Sequence, residues 1–440
     1  KVIRETKFRN QSARYGLKIM RSHFCTRRHL LRMLSAAGVS GALGWGNTVS
    51  LHAADLRKRG KACILLWMQG GPSQFETFSP LKEHANGGGT QAIATNVAGM
   101  QFAEYWPQAA RVADRLAVIR SMTSKEGSHP RASYFMHTGY LPNPSARHPT
   151  LGSIVASQCA SHLGGMTGDL PPVVRIGSRG RNDSGAGILG MQWDPFELRD
   201  AEHNPANTQP MVETDRHLRR LDLMERLDRG FAKELPQEVA DHTALYKRAT
   251  RMILSDGMRA FDLQDEPQSV HAEYGEGGFA SGCLLARRLI ESGVSFVEVV
   301  SNGWDTHQDN AAQVEKLAGG VDRPFATLVR DLERRGMLDD TLVIWIGEFG
   351  RTPQVNPRGG RDHFPRSFNA VLAGGGVKGG QVIGRTDTAG IEVTDRPVMV
   401  PDLFATFCKS LAIDPTVENM APSGRPIKLV DSGKAVDELF

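Results

Sequence analysis

The chain reads as an α/β protein with a mostly parallel central sheet flanked by helices. Three observations predict it. Continuous apolar runs, such as Ala62 to Met68 and Thr341 to Ile346, have the pattern of strands buried on both faces. Residues 280–346 alternate helix, strand, loop, helix, strand, which is the order of crossover connections in a parallel sheet. Loops dense in carboxylate and imidazole follow two of the runs, and open parallel sheets place their ligands beyond the carboxyl ends of the strands.

In chain order, the first element is an address. Thr26-Arg27-Arg28-His29-Leu30-Leu31-Arg32 precedes a mild apolar stretch from Met33 to Trp45. Adjacent arginines ahead of a short, Gly- and Ala-rich segment match a twin-arginine export signal, recognised by the twin-arginine machinery. The segment is shorter than the ~20 residues of a spanning helix, so no stable membrane span is expected. Cleavage is placed near His52-Ala53-Ala54. Met20 opens a more conventional signal, so residues 1–19 read as an upstream extension. Residues 1–54 are thus the export segment and 55–440 one α/β domain, periplasmic or extracellular in location.

Ala62 to Met68 is the first strand, stopped by Gly70-Gly71-Pro72. Leu116 to Met122 and Pro172 to Ile176 are the next strand candidates. Residues 213–263 are charged and helical, and read as an insertion packed on the sheet. Ala280 to Ser292 sets Leu284, Leu285, Leu289 and Ile290 on one helix face and ends at Gly293, a good C-cap. Val294 to Val300 follows as a strand. Pro324 to Arg335 places Phe325, Leu328, Val329 and Leu332 at helical spacing before Gly336, and Thr341 to Ile346 and Phe368 to Ala373 complete the set. The Gly-rich stretches 86–90 and 374–380 lack the Gly-Lys-Ser/Thr ending of a P-loop and read as turns.

Charge narrows the partners. Residues 1–54 carry ten Lys/Arg and one acidic residue, leaving 43 Lys/Arg against 47 Asp/Glu in the remainder. The alkaline balance belongs to the export segment and gives no support for nucleic-acid binding. Cys63, Cys159, Cys283 and Cys408 are widely spaced with no Cys-x-x-Cys pair, so no disulfide framework is implied, and Cys63 reads as a buried structural thiol.

The chemistry-bearing loops are Trp304 to Asn310, Gly347 to Pro353 and Gly360 to His363. Asp305, His307, Glu348, Asp362 and His363 are the candidate ligands of one divalent ion, for which Zn, Mn and Ca are open. Carboxylate oxygen and imidazole nitrogen suit such an ion, which lowers the pKa of bound water or polarises an ester oxygen. Arg351 is the candidate partner of a tetrahedral oxyanion. Upstream, Ser128 is a candidate nucleophile and His129 a candidate ligand or acid/base. Ser73 is a possible substrate contact. Each has a plainer reading as a turn residue, cap or local ion pair.

These motifs, with Ala286 to Gly293 and the stretch from Ala373 to Asp387, resemble the DUF1501 family from about Arg27 to the C-terminus. The resemblance implies a secreted protein related to sulfatases and the alkaline phosphatase superfamily, acting on a small-molecule or polysaccharide phosphate or sulfate ester. It also implies that Asp305 and His307 stand for the superfamily's middle metal pair and His363 for its late histidine. The nucleophile segment at Ser128 to Arg131 lacks the intact Cys/Ser-x-Pro-x-Arg pattern. Gln69 occupies the first-strand ligand position, with Glu76 the nearest acid. These departures leave a non-catalytic binding protein with a degenerate site as the alternative.

Overall fold

A computed structural model describes residues 60–162, 169–177, 185–206, 208, 212–421 and 423–440; residues 1–54, expected from the sequence to be an export segment, lie outside them. The elements in chain order are β1 (Ala62–Gln69), β2 (Leu116–Thr123), α1 (His129–Thr138), α2 (Leu151–His162), β3 (Val173–Ile176) and β4 (Phe196–Leu198). Then come α3 (Thr214–Asp228), α4 (Pro236–Leu254), α5 (Gly278–Glu291), β5 (Phe296–Asn302) and α6 (Asn310–Arg334). The chain ends through β6 (Thr341–Ile346), β7 (Phe368–Ala373), β8 (Gln381–Ile383), β9 (Val398–Met399) and α7 (Val400–Ser410).

The sheet runs β8-β2-β7-β6-β1-β5-β3-β4, with β9 also paired to β2. All neighbours are parallel except β7, which is antiparallel to both β2 and β6. Period two along β1 explains its unbroken apolar sequence. Ile64, Leu66 and Met68 face a core closed by α5 and α6, while Cys63, Leu65 and Trp67 face one closed by α2 and α7. Cys63, Cys159, Cys283 and Cys408 are buried free thiols.

The expected helix at Pro324 begins fourteen residues earlier, at Asn310, and Pro324 lies inside it. A proline ring ordinarily clashes with the carbonyl four residues back and removes one hydrogen bond. Here the preceding turn is Gly319-Gly320, which adds no side-chain bulk, and the buried stripe of Val314, Ala318 and Val321 runs straight on into Phe325 and Leu328. Tertiary burial outweighs the local break. The strand expected at Val294 starts at Phe296, because Val294 N–H still donates to the Leu289 carbonyl of the α5 C-cap.

One charged group sits inside the sheet. Glu298 of β5 accepts from Arg175 Nε at 3.0 Å, and its other oxygen lies 3.2 Å from His137 Nε2. Burial alone would raise this carboxyl, but Arg175 and His137 outweigh it and hold it at about 2. Its folded pKa lies below the unfolded value, so the stabilisation is complete above about 4.5 and fades as pH falls toward about 2. The shift corresponds to roughly 3 kcal/mol. Glu298→Gln should therefore be less stable than wild type at neutral pH, and the difference in urea midpoint should shrink on acidification. An unchanged gap at pH 3 would refute the assignment.

Candidate metal centre

The strand directions decide what meets at one edge. β1, β2, β5 and β6 all end there, and antiparallel β7 begins there. The loops leaving the four parallel strands therefore converge with the segment that enters β7. That segment carries Asp362 and His363, and the other loops supply His129, Asp305, His307 and Glu348.

Close crossing of the loops needs two glycines. Gly70 has φ +118°, and a Cβ there would lie 2.4 Å from Asp305 N; one on Gly360 would lie 2.0 Å from the His307 carbonyl carbon. Backbone bonds then lock the pile: Trp304 N–H donates to Gln69 O at 3.1 Å, and Arg361 N–H to Thr306 O at 3.0 Å. His363 pairs with Arg351 in a short antiparallel ribbon.

Asp305 Oδ1 is the focus. It lies 3.3 Å from His129 Nε2, 3.0 Å from His307 Nε2 and 3.3 Å from His363 Nε2. His307 Nε2 and His363 Nε2 are 3.0 Å apart. The opposite nitrogen of each ring meets an acceptor. His129 Nδ1 is 2.7 Å from Glu348 Oε1, His307 Nδ1 is 2.9 Å from Asp362 Oδ1, and His363 Nδ1 is 2.8 Å from Gly127 O. Each Nδ1 therefore carries the proton, and each Nε2 presents a lone pair. His129 Nε2 is buried with no hydrogen-bond partner.

With the rings neutral, three imidazole lone pairs and a carboxylate oxygen point at one another. That arrangement is repulsive unless a cation sits among them. Donors on a tetrahedron with bonds of about 2.0–2.1 Å lie about 3.3 Å apart along each edge, close to the 3.0–3.3 Å that separate Asp305 Oδ1 from the three Nε2 atoms. His129, Asp305 and His363 each offer an atom within 4.8 Å of the others. The donor set fits a divalent ion, and imidazole favours zinc or manganese over calcium.

The remaining sequence candidates stand around this cluster. Glu348 is fully buried, and both its oxygens accept from Gly70 N–H, at 3.0 and 3.1 Å, besides engaging His129. Asp362 orients His307. Arg351 is fully buried: Nε donates to Gly71 O at 2.8 Å, one terminal nitrogen to Arg361 O at 3.1 Å, and the other to Asp305 Oδ1 at 2.6 Å and to the Gly70 carbonyl. All three guanidinium nitrogens are engaged with protein, so the group clamps three loops and faces no open space. Ser128 is exposed at the N-cap of α1 and makes no capping bond. Ser73 is buried, its hydroxyl without a partner. Glu76 pairs with Arg361 at 2.7 Å, and Gln69 accepts from Trp67 Nε1, so neither joins the cluster.

Electrostatics follows these contacts. Burial alone would raise Asp305, but Arg351, His129 and His307 hold it at about 2. The Glu348 hydrogen bond raises His129 against burial, whereas burial lowers His363. The His307 hydrogen bond lowers Asp362. The side chains of Asp305, His307 and Asp362 are 46 %, 34 % and 55 % exposed, so the cluster opens directly to solvent. The carbonyl of Gly127 had no sequence signal, since a backbone oxygen leaves none.

Solved structures similar to this chain include the lipoteichoic acid synthase LtaP of Listeria monocytogenes (9 % identity, TM-score 0.40, covering 81 % of this chain and 72 % of that one). A putative sulfatase from Bacteroides thetaiotaomicron (12 %, 0.38, 87 % and 74 %) is another. So is a protein of the alkaline phosphatase superfamily from Vibrio parahaemolyticus (12 %, 0.36, 81 % and 67 %). No curated protein matches. A family model described as a protein of unknown function matches residues 60–440, and the chain belongs to that family, DUF1501.

Proposed function

We propose that this protein is an exported, metal-dependent hydrolase of phosphate or sulfate esters. The observation that carries the reading is the convergence of three imidazole Nε2 atoms on Asp305 Oδ1, with each Nδ1 and the carboxylate itself engaged by a second group. When bound, a divalent ion at this place supplies a water of lowered pKa and polarises the ester oxygen. His129, His307, His363 and Asp305 would hold it. Glu348, Asp362 and the Gly127 carbonyl keep each Nε2 bare, and Arg351 offsets the Asp305 charge while fixing its loop. The open site admits an ester borne on a polysaccharide as readily as a small one. Ser128, the exposed residue before His129, is the candidate nucleophile of this reading. Export through the twin-arginine route to the periplasm or beyond rests on Arg27-Arg28 and belongs to the same proposal. Among the described residues no helix is long and apolar enough to cross a membrane.

The test is elemental analysis of the purified protein followed by turnover of aryl phosphate and sulfate esters. Stoichiometric zinc or manganese with metal-dependent turnover is expected. A stable, metal-free protein that takes up no added metal would sink the reading. A secreted binding protein is the second reading, favoured by Ser128 having no hydrogen bond to a base among the described residues. Full metal occupancy without turnover of any ester would select it.

Glu348→Gln separates the roles further. The amide must set its NH₂ against Gly70 N–H or His129 Nδ1–H, leaving a buried donor unpaired at a cost of about 1–3 kcal/mol. Loss of the orienting carboxylate should weaken metal affinity roughly 10- to 100-fold. Titration with a competing chelator measures it. Unchanged affinity would remove Glu348 from the site.

A further inference from the structure

Three arginines on the ligand-bearing segments are already committed. Arg351 is the buried clamp, Arg361 donates to Glu76 and to the carbonyls of Thr352 and Pro353, and Arg131 is held by Glu126 at 2.7 Å. Arg358 differs from all of them. Its side chain is exposed and makes no hydrogen bond or ion pair among the described residues.

The backbone of Arg358, by contrast, is fastened to the loop of His307. Its N–H donates to Asn356 Oδ1 at 2.9 Å, and its carbonyl accepts from Asp309 N–H at 3.1 Å. Asn310 N–H donates to Gly359 O at 2.9 Å, so the two loops are zipped together. Asn356 is the pin. Its Oδ1 also accepts from Gly360 N–H at 3.0 Å, and its Nδ2 donates to the His307 carbonyl at 3.0 Å and to Asp362 Oδ1 at 3.4 Å. Two residues of chain, ~7 Å at most, separate Arg358 from that pin. Asp309 is held at φ +45° in the zip, and strain of this kind persists only where surrounding bonds enforce it. The turn is therefore a rigid mount.

The charge of Arg358 reaches the centre. The His307 hydrogen bond does most to lower the Asp362 carboxyl, and the Arg358 guanidinium adds to it. A fixed backbone beneath a free cation, at the rim of a metal centre, suits the positioning of a substrate. Lys125 and Arg366 are also exposed on neighbouring segments, but no backbone bond among the described residues ties either to the loop of His307.

We propose that Arg358 binds the tetrahedral oxyanion of the substrate, a sulfate or phosphate ester, as the cation that Arg351 is not free to be. One oxygen of the ester faces the donor cluster, and a second accepts from the Arg358 guanidinium. Asn356 acts through Arg358 and is a positioning residue. The inference rests on the metal-centre reading above.

Inorganic sulfate and inorganic phosphate are titrated calorimetrically into the full chain loaded with zinc or manganese, and metal content is measured in parallel. Arg358→Ala should weaken binding of at least one anion about tenfold, with metal content and melting temperature unchanged. Arg358→Lys should recover part of the loss, since an ammonium keeps the charge without the planar fork. Lys125→Ala and Arg366→Ala should each shift affinity by less than about twofold, because solvent and salt screen exposed charges. With an aryl ester that is turned over, Arg358→Ala should raise KM about tenfold and change kcat less. Wild-type anion affinity in Arg358→Ala, or metal-loaded wild type that binds neither anion, would overturn the proposal. So would an equal loss in Arg366→Ala, which would reduce the effect to the general field of the surface. Wild type that takes up no metal would sink the metal-centre reading first, and this proposal with it.

Discussion

Alanine at His307 or at His363 is expected to abolish metal uptake and ester turnover together. Each ring supplies one Nε2 lone pair at 3.0–3.3 Å from Asp305 Oδ1, and the two nitrogens face each other at 3.0 Å. Removing either leaves three donors of the four and opens the site to bulk water. The fold should survive. Both rings sit at the partly exposed edge of the sheet, and neither belongs to the apolar cores on its two faces. Metal content and melting temperature are therefore the paired measurements. The wild type should gain thermal stability when zinc or manganese is added, because a ligand that binds only the folded state shifts the unfolding equilibrium. The His307→Ala and His363→Ala proteins should show little of that gain. Turnover lost with full metal retained would make these histidines participants in proton transfer and not ligands. Asp362→Asn is the milder companion: the amide can still accept from His307 Nδ1–H through its oxygen, so metal affinity should fall by less than in either alanine variant.

Much of the frame was legible in the sequence, for a physical reason. A strand buried on both faces shows as an apolar run, unbroken in β1 and β6 and interrupted only by Arg120-Ser121 in β2, Arg175 in β3, Glu298 in β5 and Asn369 in β7. The missed strands β4, β8 and β9 span three, three and two residues, too short to display a period. Pro324 and Gly319-Gly320 hid the first half of α6, since propensity acts locally and the burial of Val314 and Val321 does not. At the site, the loop residues after strands could be gathered onto one edge by topology. What composition could not rank was their order around the centre. Asp305, Glu348 and Asp362 are the same kind of group in sequence. Only coordinates separate Asp305, which faces three Nε2 atoms, from Glu348 and Asp362, which face one Nδ1 each. The antiparallel entry of β7 brings His363 to the edge shared by the parallel strands, and an apolar run of six residues carries no mark of direction.

Arg351 gives the second large effect, and it reads differently in the two dimensions. In sequence it is a cation in a loop beside candidate ligands, suited to a substrate oxyanion. In the folded chain it is wholly buried among the carbonyls of Gly70, Gly71, Trp304 and Arg361, with Asp305 as its charged partner. Substitution by methionine would strip donors from buried carbonyls and leave Asp305 without its cation. Each buried carbonyl left without its donor costs about 1–3 kcal/mol, and half-exposed Asp305, which water can reach, adds less. The melting temperature should fall by roughly 3–6 °C. Arg351→Lys keeps the charge but supplies one point in place of a planar fork, so it should recover only part of the loss. A substrate-binding arginine would behave in the opposite way, with wild-type melting temperature and a raised KM. If Arg351→Met melts like the wild type and only the kinetics suffer, the clamp is refuted and the oxyanion role is restored.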